Sequence, residues 1–403
     1  MKKILVLSAH SFSIDRRIIA QLNTLINNHY KVVLLTVPIQ DDFKGILNPS
    51  VRIIREPLKQ TSQQNRLILK FFLSLLPSIF LNFIKFIYRR YIETHNLNNY
   101  FLKNVPTEHF DYIHAHDLST LEAACIIKRR LNIKKIIYDS HELWGGQFFL
   151  KLETSSWDKL EQRLCKKVDA VIAVNDSIKS ILIQKIAPSK IITILNSYGI
   201  HKSKKTSKLD LITCLPSSIK QKPLILFQGS LVKGRNLENL ILAFEYLKTE
   251  ANLLFLGEGS LKKSLQKMVI KNKLNNVFFH DWVPQNELMA ILKRADLGII
   301  PYLGDKILNN YYCTPNKLFE YIHVGVPICA SKLPELIKFV DGFKIGKTYC
   351  MSTPLNIAEA IKDMLKLKNN KFFPLINFTR AEAEIGWEVQ ENKLLTLYAE
   401  LEI

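Results

Sequence analysis

Acid is scarce in this 403-residue sequence: 36 aspartates and glutamates stand against 56 lysines and arginines, a formal charge of +20. Such an excess points to an anionic partner, which is a nucleic acid, an acidic membrane surface or a phosphorylated small molecule. The longest basic stretches, 128–135 and 201–208, contain no aromatic residue, so the stacking that single-strand binding favours is missing and no nucleic acid is expected. Cysteine is sparse as well. The six, at 125, 165, 214, 313, 329 and 350, form no C-x-x-C pair and no zinc-type spacing, and they read as small buried side chains in a reducing compartment. No D-x-D string is present to hold a divalent ion against phosphates. Met1-Lys2-Lys3 precedes only Ile4 to Leu7, too short for the core of a secretory signal, which implies a cytoplasmic chain.

Long apolar runs are missing too. The longest, Phe71 to Ile84, is broken by Ser74, Pro77, Ser78 and Asn82, and it falls short of the roughly 20 residues that cross a bilayer. Its aromatics and the flanking Lys70, Lys85, Arg89 and Arg90 suit either helices lying on an anionic lipid surface or helices packed into a core. Low-complexity tracts and solenoid repeats are absent.

What is there is ordinary in bulk and regular in pattern. With 47% hydrophobic and 23% charged residues the chain is a globular protein, long enough for two domains. Short apolar runs alternate with helical periodicity: Ile4–Leu7, Val32–Thr36, Tyr112–Ala115, Ile136–Asp139, Ala170–Val174 and Ile191–Leu195, then Leu224–Gln228, Asn252–Leu256, Val277–His280, Leu297–Ile300 and Pro327–Ala330. That alternation predicts an α/β protein with two doubly wound parallel sheets. Domains are expected over 1–198 and 223–384, joined by a Ser/Lys/Thr-rich linker at 199–222, with a terminal amphipathic helix over about 385–403 completing the first.

In such sheets ligands bind beyond the carboxyl ends of the strands. The string Gly229-Ser230-Leu231-Val232-Lys233-Gly234-Arg235 follows one of them. Its glycines permit close backbone approach, the helix start offers free N–H groups, and Lys233 and Arg235 add charge. It reads as a diphosphate cradle or as a plain strand-to-helix turn. In Thr314-Pro315-Asn316-Lys317-Leu318-Phe319-Glu320-Tyr321, Pro315 suits a helix start, and the Glu320 carboxylate can accept two hydrogen bonds, as a ribose diol supplies, or can sit on a solvated face. His114 and His116 form an H-x-H, but no third or fourth metal ligand is spaced to join them, and no metal is expected.

The string Thr314 to Pro327 resembles the "PNKLFEY…GxP" segment of the family 4 retaining glycosyltransferases. Other matches follow in the same order: Asp15-Arg16-Arg17, Ile113 to Asp117, Tyr138 to Leu143, Asp169 to Val174, Phe227 to Ser230 with Lys233 to Arg235, Leu256 to Gly259, Asp281 to Pro284, and Trp387-Glu388 near the end. The resemblance implies a GT-B fold of two facing Rossmann-like domains, with a nucleoside diphosphate-sugar bound in the C-terminal one and no other cofactor. Carried over by position, Glu320 holds the ribose, while Lys233 and Arg235, with Gly229 and Ser230, hold the diphosphate. Asn316 and Lys317 meet phosphate and sugar, and Trp282 and Val283 lie beside the base. His116 is near the transferred sugar, so His116, Lys233, Arg235 and Glu320 form the catalytic set. Asp15, Arg16, Asp117 and Glu142 fall in the acceptor and sugar vicinity. Tyr312 stands where many members carry a first glutamate, which leaves Asn310, Tyr311 or Tyr312 to position the sugar.

The activity so implied is transfer of a sugar, with retention and without metal, to a lipid-linked or polysaccharide acceptor in cell-envelope glycan synthesis, with peripheral contact to an anionic membrane. The alternatives are a non-catalytic glycosyltransferase-like subunit and a nucleotide-sugar epimerase on the same fold.

Overall fold

The computed structural model describes residues 1–9, 16–38, 47–57, 84–148, 151–197, 222–283, 285–304 and 307–402. Asp15, Pro284, almost all of the Phe71 to Ile84 run and nearly all of the linker lie outside the described residues.

The chain divides into two compact units, residues 1–194 with 391–403, and residues 195–390. In the first, strands β1 (Lys3–Ser8), β2 (Lys31–Thr36), β3 (Arg52–Ile54), β4 (Tyr112–His116), β5 (Lys135–Ser140), β6 (Ala170–Ala173) and β7 (Ile191–Thr193) form one sheet. Its order is β3-β2-β1-β4-β5-β6-β7, all neighbours parallel. Helices α1 (Arg16–Asn27), α2 (Thr94–Asn104), α3 (Leu118–Arg130), α4 (Lys151–Cys165) and α5 (Asp176–Ile186) provide the crossovers. The inner strands are apolar on both faces because helices cover both: Ile4, Leu5, Ile113, Ile136, Val171 and Ile172 are fully buried.

In the second unit, β8 (Leu224–Gln228), β9 (Asn252–Leu256), β10 (Val277–His280), β11 (Leu297–Ile300), β12 (Ile328–Ser331) and β13 (Gly346–Tyr349) repeat the scheme as β10-β9-β8-β11-β12-β13. Its described helices are α6 (Leu237–Ala243), α7 (Lys262–Lys271), α8 (Gln285–Leu292), α9 (Asn316–Val324), α10 (Pro354–Asn369) and α11 (Leu375–Ile385), besides shorter turns. Helix α6 ends at Ala243: from Phe244 the N–H groups bond three residues back and the chain closes as tight turns. The last helix, α12 (Trp387–Glu400), straddles the division: its first turn counts with the second unit and the rest with the first.

Two strands, β3 and β13, escaped the apolar pattern. Both are edge strands whose residues are largely half-buried or exposed, so neither carries the continuous apolar run of an inner strand. In each sheet the strand order reverses once, between β1 and β4 in the first and between β8 and β11 in the second. Such switch points open crevices at the carboxyl ends of the strands. At the second, Gly298 lets α9 approach β11 closely, since a Cβ there would lie 2.5 Å from the Tyr321 ring. The Tyr321 hydroxyl then donates to the Leu226 carbonyl at 2.8 Å, pinning α9 to β8. Gly298→Ala is expected to cost about 1–3 kcal/mol in chemical unfolding by forcing that ring aside.

Candidate functional site

At the β8/β11 switch point one side chain is out of place by ordinary rules. Lys317, in the first turn of α9, is 4% exposed, and its ammonium has no hydrogen-bond partner among the described residues. The Nζ lies 3.5 Å from the centre of the Phe227 ring at the end of β8 and 5.0 Å from that of Tyr302 just after β11. The Arg235 guanidinium covers the Tyr302 ring at 4.2 Å. The aromatic faces offset part of the ammonium's desolvation. Burial, helped by the charge of Arg235, nevertheless holds the Lys317 pKa well below the usual lysine range. Burial likewise pushes the Tyr302 phenol up to about 12.

Glycines shape the space around this ammonium. Gly229, at φ +122°, leaves its Cβ position 3.3 Å from Lys317 Nζ, and a Cβ on Gly257 would strike the Gly229 carbonyl at 2.2 Å. The Gly229 N–H donates to the Leu256 carbonyl, and the Gly257 N–H to that of His280. At φ +85°, Gly234 takes a conformation that side chains rarely adopt, and Asn310 Nδ2 donates to its carbonyl at 3.2 Å. Asn310 thus holds the glycine loop. Pro315 starts α9 with no side-chain cap, so the first N–H groups of that helix are free of side-chain acceptors from the cap.

The expected residues therefore separate. Gly229, Arg235 and Lys317 converge, with Asn316 at the same helix start accepting from Asn196 Nδ2 at 3.3 Å. Glu320 follows Asn316 by one turn and is buried, not on a solvated face. Ser230 and Lys233 are exposed in the loop. Trp282 is 43% exposed after β10, and Val283 packs on the core. Beside them Lys262 bridges Glu258 and Asp281, tying the loops after β9 and β10 together. Phe227 and Tyr302 were not singled out as site residues. Their signal was positional: both close strands that flank the switch point.

The first unit gathers a different set at its own switch point. Asp139, at the end of β5, is fully buried. Its carboxylate accepts from Arg17 Nη2 at 2.5 Å and from Gln21 Nε2 at 2.8 Å, one turn apart on α1. Three imidazoles surround it: His114 Nε2 at 3.4 Å, His116 Nδ1 at 3.6 Å and His141 Nε2 at 3.9 Å. Burial alone would raise the Asp139 pKa; the charge of Arg17, with His141, His114 and His116, overrides it and holds the carboxyl well below its ordinary range. His116 Nδ1 and His141 Nε2 share a hydrogen bond of 2.9 Å, His114 and His116 stack at 4.6 Å, and His114 Nδ1 meets the Tyr398 hydroxyl of α12 at 2.9 Å.

Three expectations need restating here. His116 is only 1% exposed, engaged through Nδ1 within this cluster. The H-x-H does find a third potential ligand, because β4 and β5 pair His116 with Asp139 and bring the ligand atoms of His114, His116 and Asp139 within 4.8 Å of one another. Spacing along the chain cannot register a partner on the adjacent strand. The group suits a divalent ion poorly, since Arg17 already neutralises Asp139 and His116 Nδ1 is hydrogen-bonded to His141. Asp117 is buried at φ 62°, ψ 161°, a region nearly confined to glycine. Its N–H donates to the Asp139 carbonyl and its Oδ1 accepts from the His141 N–H at 3.1 Å, which holds the strained turn. Arg16 opens α1 half-buried, and Glu142 is exposed, its carbonyl accepting from Ser140 Oγ.

Residues 51–198 match the family described as Glycosyltransferase Family 4, and residues 222–367 match Glycosyl transferases group 1. No curated protein matches the sequence. Among solved structures, sucrose-phosphate synthase from Thermosynechococcus elongatus is similar at TM-score 0.72 and 15% identity, covering 100% of this chain and 99% of that one. Anabaena HepE in complex with UDP-glucose gives 0.71 and 14%, covering 99% and 100%. A glycosyltransferase from Rickettsia africae gives 0.67 and 13%, covering 99% and 98%.

The buried carboxylate makes a prediction about acid. Because the folded pKa of Asp139 is depressed, its stabilisation is complete above the unfolded value of about 3.9 and is lost as pH falls toward the folded value. Asp139→Asn leaves Arg17 buried without its counter-charge and should cost about 3–5 kcal/mol at neutral pH. The variant's urea midpoint should also lose part of the wild type's decline below pH 4 or so.

Proposed function

This chain belongs to the family 4 retaining glycosyltransferases and has their GT-B fold, and from that premise we propose how its two switch points divide the work of sugar transfer. It is a nucleotide-sugar-dependent transferase. In our reading the donor's diphosphate lies against Gly229, Lys317 and Arg235, and Glu320 takes the ribose diol. The acceptor is lipid-linked or a polysaccharide of the cell envelope, taken up by the first unit, and a lipid-linked acceptor puts the reaction on the inner face of the cytoplasmic membrane in peripheral contact with it. UDP is the base carrier we favour, since HepE was solved with UDP-glucose.

One observation carries this reading: the orphaned Lys317 ammonium. A buried unpaired charge is destabilising unless a ligand completes it, and a diphosphate offers the anion and the acceptor oxygens that Lys317 lacks among the described residues. The start of α9 adds the positive end of a helix dipole at the same place.

Breaking the bond between the anomeric carbon and the phosphate oxygen leaves negative charge on the departing diphosphate, while oxocarbenium character grows on the sugar. Lys317, Arg235 and Lys233 supply fixed positive charge for that departure, and preorganised donors of this kind are each worth on the order of 3 kcal/mol. The acceptor oxygen bonds to the anomeric carbon on the face the phosphate leaves, and its proton passes to the departing phosphate oxygen. Configuration is retained without a protein nucleophile, and no divalent ion is needed because side chains provide the field. In this reading the sugar lies over the cluster that holds His116, and the histidine steadies the sugar's surroundings from beneath.

With UDP-sugars as donors, Arg235→Ala and Lys317→Met are expected to lower turnover by about 100-fold or more, and Glu320→Ala to raise KM for the donor. Turnover should persist in EDTA. Full activity in all three variants would end the site assignment, and loss in EDTA restored by magnesium would end the metal-free part. Lys317→Met carries a second expectation. It removes a desolvated charge, so the ligand-free variant should be more stable by about 1–2 kcal/mol while binding UDP less tightly. The sign with pH follows: the folded lysine pKa is depressed, so wild-type stability should climb as pH rises toward the unfolded value of about 10.4, a slope the variant lacks.

A further inference from the structure

The described end of the long apolar stretch does not pack inward. Ile84, Ile87, Tyr88, Tyr91 and Ile92 are all exposed, Tyr91 at 57%. Their spacing is that of one helical face, whereas Phe86, Thr94 and Asn98 on the other side are buried. Single exposed apolar side chains are common, but five on one stripe within nine residues are a surface feature that asks for a partner.

The stripe faces outward because its helical segment is fastened from behind. Arg89 Nη2 pairs with Glu153 Oε1 at 2.7 Å, and Arg90 Nε donates to Ser156 Oγ at 3.2 Å while its guanidinium lies 5.1 Å from the Trp157 ring. These partners all lie on α4. On the same helix Leu152 is 60% exposed. Along α4 runs a groove of about 490 Å³ lined by Lys151, Thr154, Ser155 and Lys159 and by Phe148, whose ring lies 5.2 Å from the Arg89 guanidinium. Asp158, the groove's one acid, is taken up by Lys185. Stripe and groove are therefore continuous through Arg89 and Phe148.

We propose that this face docks on an anionic membrane, with the stripe immersed at the interface and a lipid phosphate headgroup seated between Lys151 and Lys159. Tyrosines beside isoleucines suit the boundary between headgroups and acyl chains. Ammonium groups and hydroxyls are phosphate donors, and Lys85, Lys151 and Lys159 put positive charge around the stripe, in a chain whose formal charge is +20. A protein partner would ask for apolar and polar groups in a fitted arrangement; an acidic lipid surface asks only for this mixture. The choice of a membrane rests on the lipid-linked acceptor proposed above for its purpose, while the docking itself is independent of catalysis.

Flotation of the full chain with vesicles of equimolar phosphatidylglycerol and phosphatidylcholine, against phosphatidylcholine alone, tests it. Wild type should float with the mixed vesicles only. The Lys151→Ala/Lys159→Ala variant should partition roughly 30-fold less, the loss of two surface charges. The Ile87→Ser/Tyr91→Ser/Ile92→Ser variant should lose binding while keeping its melting curve, since those side chains are exposed. Wild type that never floats with anionic vesicles overturns the proposal, as do variants that both float like wild type. UDP binding measured on the same samples separates the outcomes: intact UDP affinity with no vesicle binding sinks the docking face alone, and absent UDP affinity sinks the donor pocket.

Discussion

An ammonium group sealed between two aromatic rings, without a hydrogen-bond acceptor, is the constraint around which the second unit is arranged. Lys317 can be held there because Phe227 and Tyr302 close adjacent strands at the switch point and present their faces to it. Arg235 lies on the same Tyr302 ring, so two cations share one aromatic surface. The glycines at 229, 234 and 257 let neighbouring segments pack closely around it, since a Cβ at these positions would meet Lys317 Nζ, Asn310 Nδ2 and the Gly229 carbonyl in turn. Burying that ammonium costs stability locally, a cost that binding of the proposed anion would offset.

The first unit solves the opposite problem. Its switch point buries an acid, and Asp139 is surrounded by one permanent cation and three imidazoles. Arg17 and Gln21 reach it from α1, the histidines from β4 and the loop after β5, and Tyr398 closes the outer side of His114 from the terminal helix. The strained Asp117 sits at the lip of this cluster, its backbone held by Asp139 and its carboxylate by His141. One sheet thus gathers Lys317 and Arg235 on an aromatic surface, and the other a neutralised network that fixes a histidine.

Much of this was legible in the residues. Eleven of the thirteen described strands announce themselves as apolar runs, the inner ones because a parallel strand covered on both faces has no polar side to show and the edge strands β7 and β10 through their isoleucines and phenylalanines. The two that did not, β3 and β13, lie at the edges, where half the surface faces away from the core. Gly229, Arg235, Lys317 and Glu320 were readable because a loop and a helix start carry their chemistry locally in sequence. Phe227, Tyr302 and Asn310 were not, since their tasks exist only when other segments lie against them.

The same division explains the histidines. Two residues apart on β4, His114 and His116 must share a face, and that much follows from the pleat. Which acid joins them depends on the register that sets His116 beside Asp139, and which charge quenches that acid depends on α1 packing across the strands. Composition, periodicity and motif order determined the class of fold, the two-part organisation and the positive balance of charge, because burial and charge are summed residue by residue. Tertiary structure alone decided that Lys317 is caged without an acceptor and that the Ile84–Ile92 stripe looks outward, because both are statements about what surrounds a side chain.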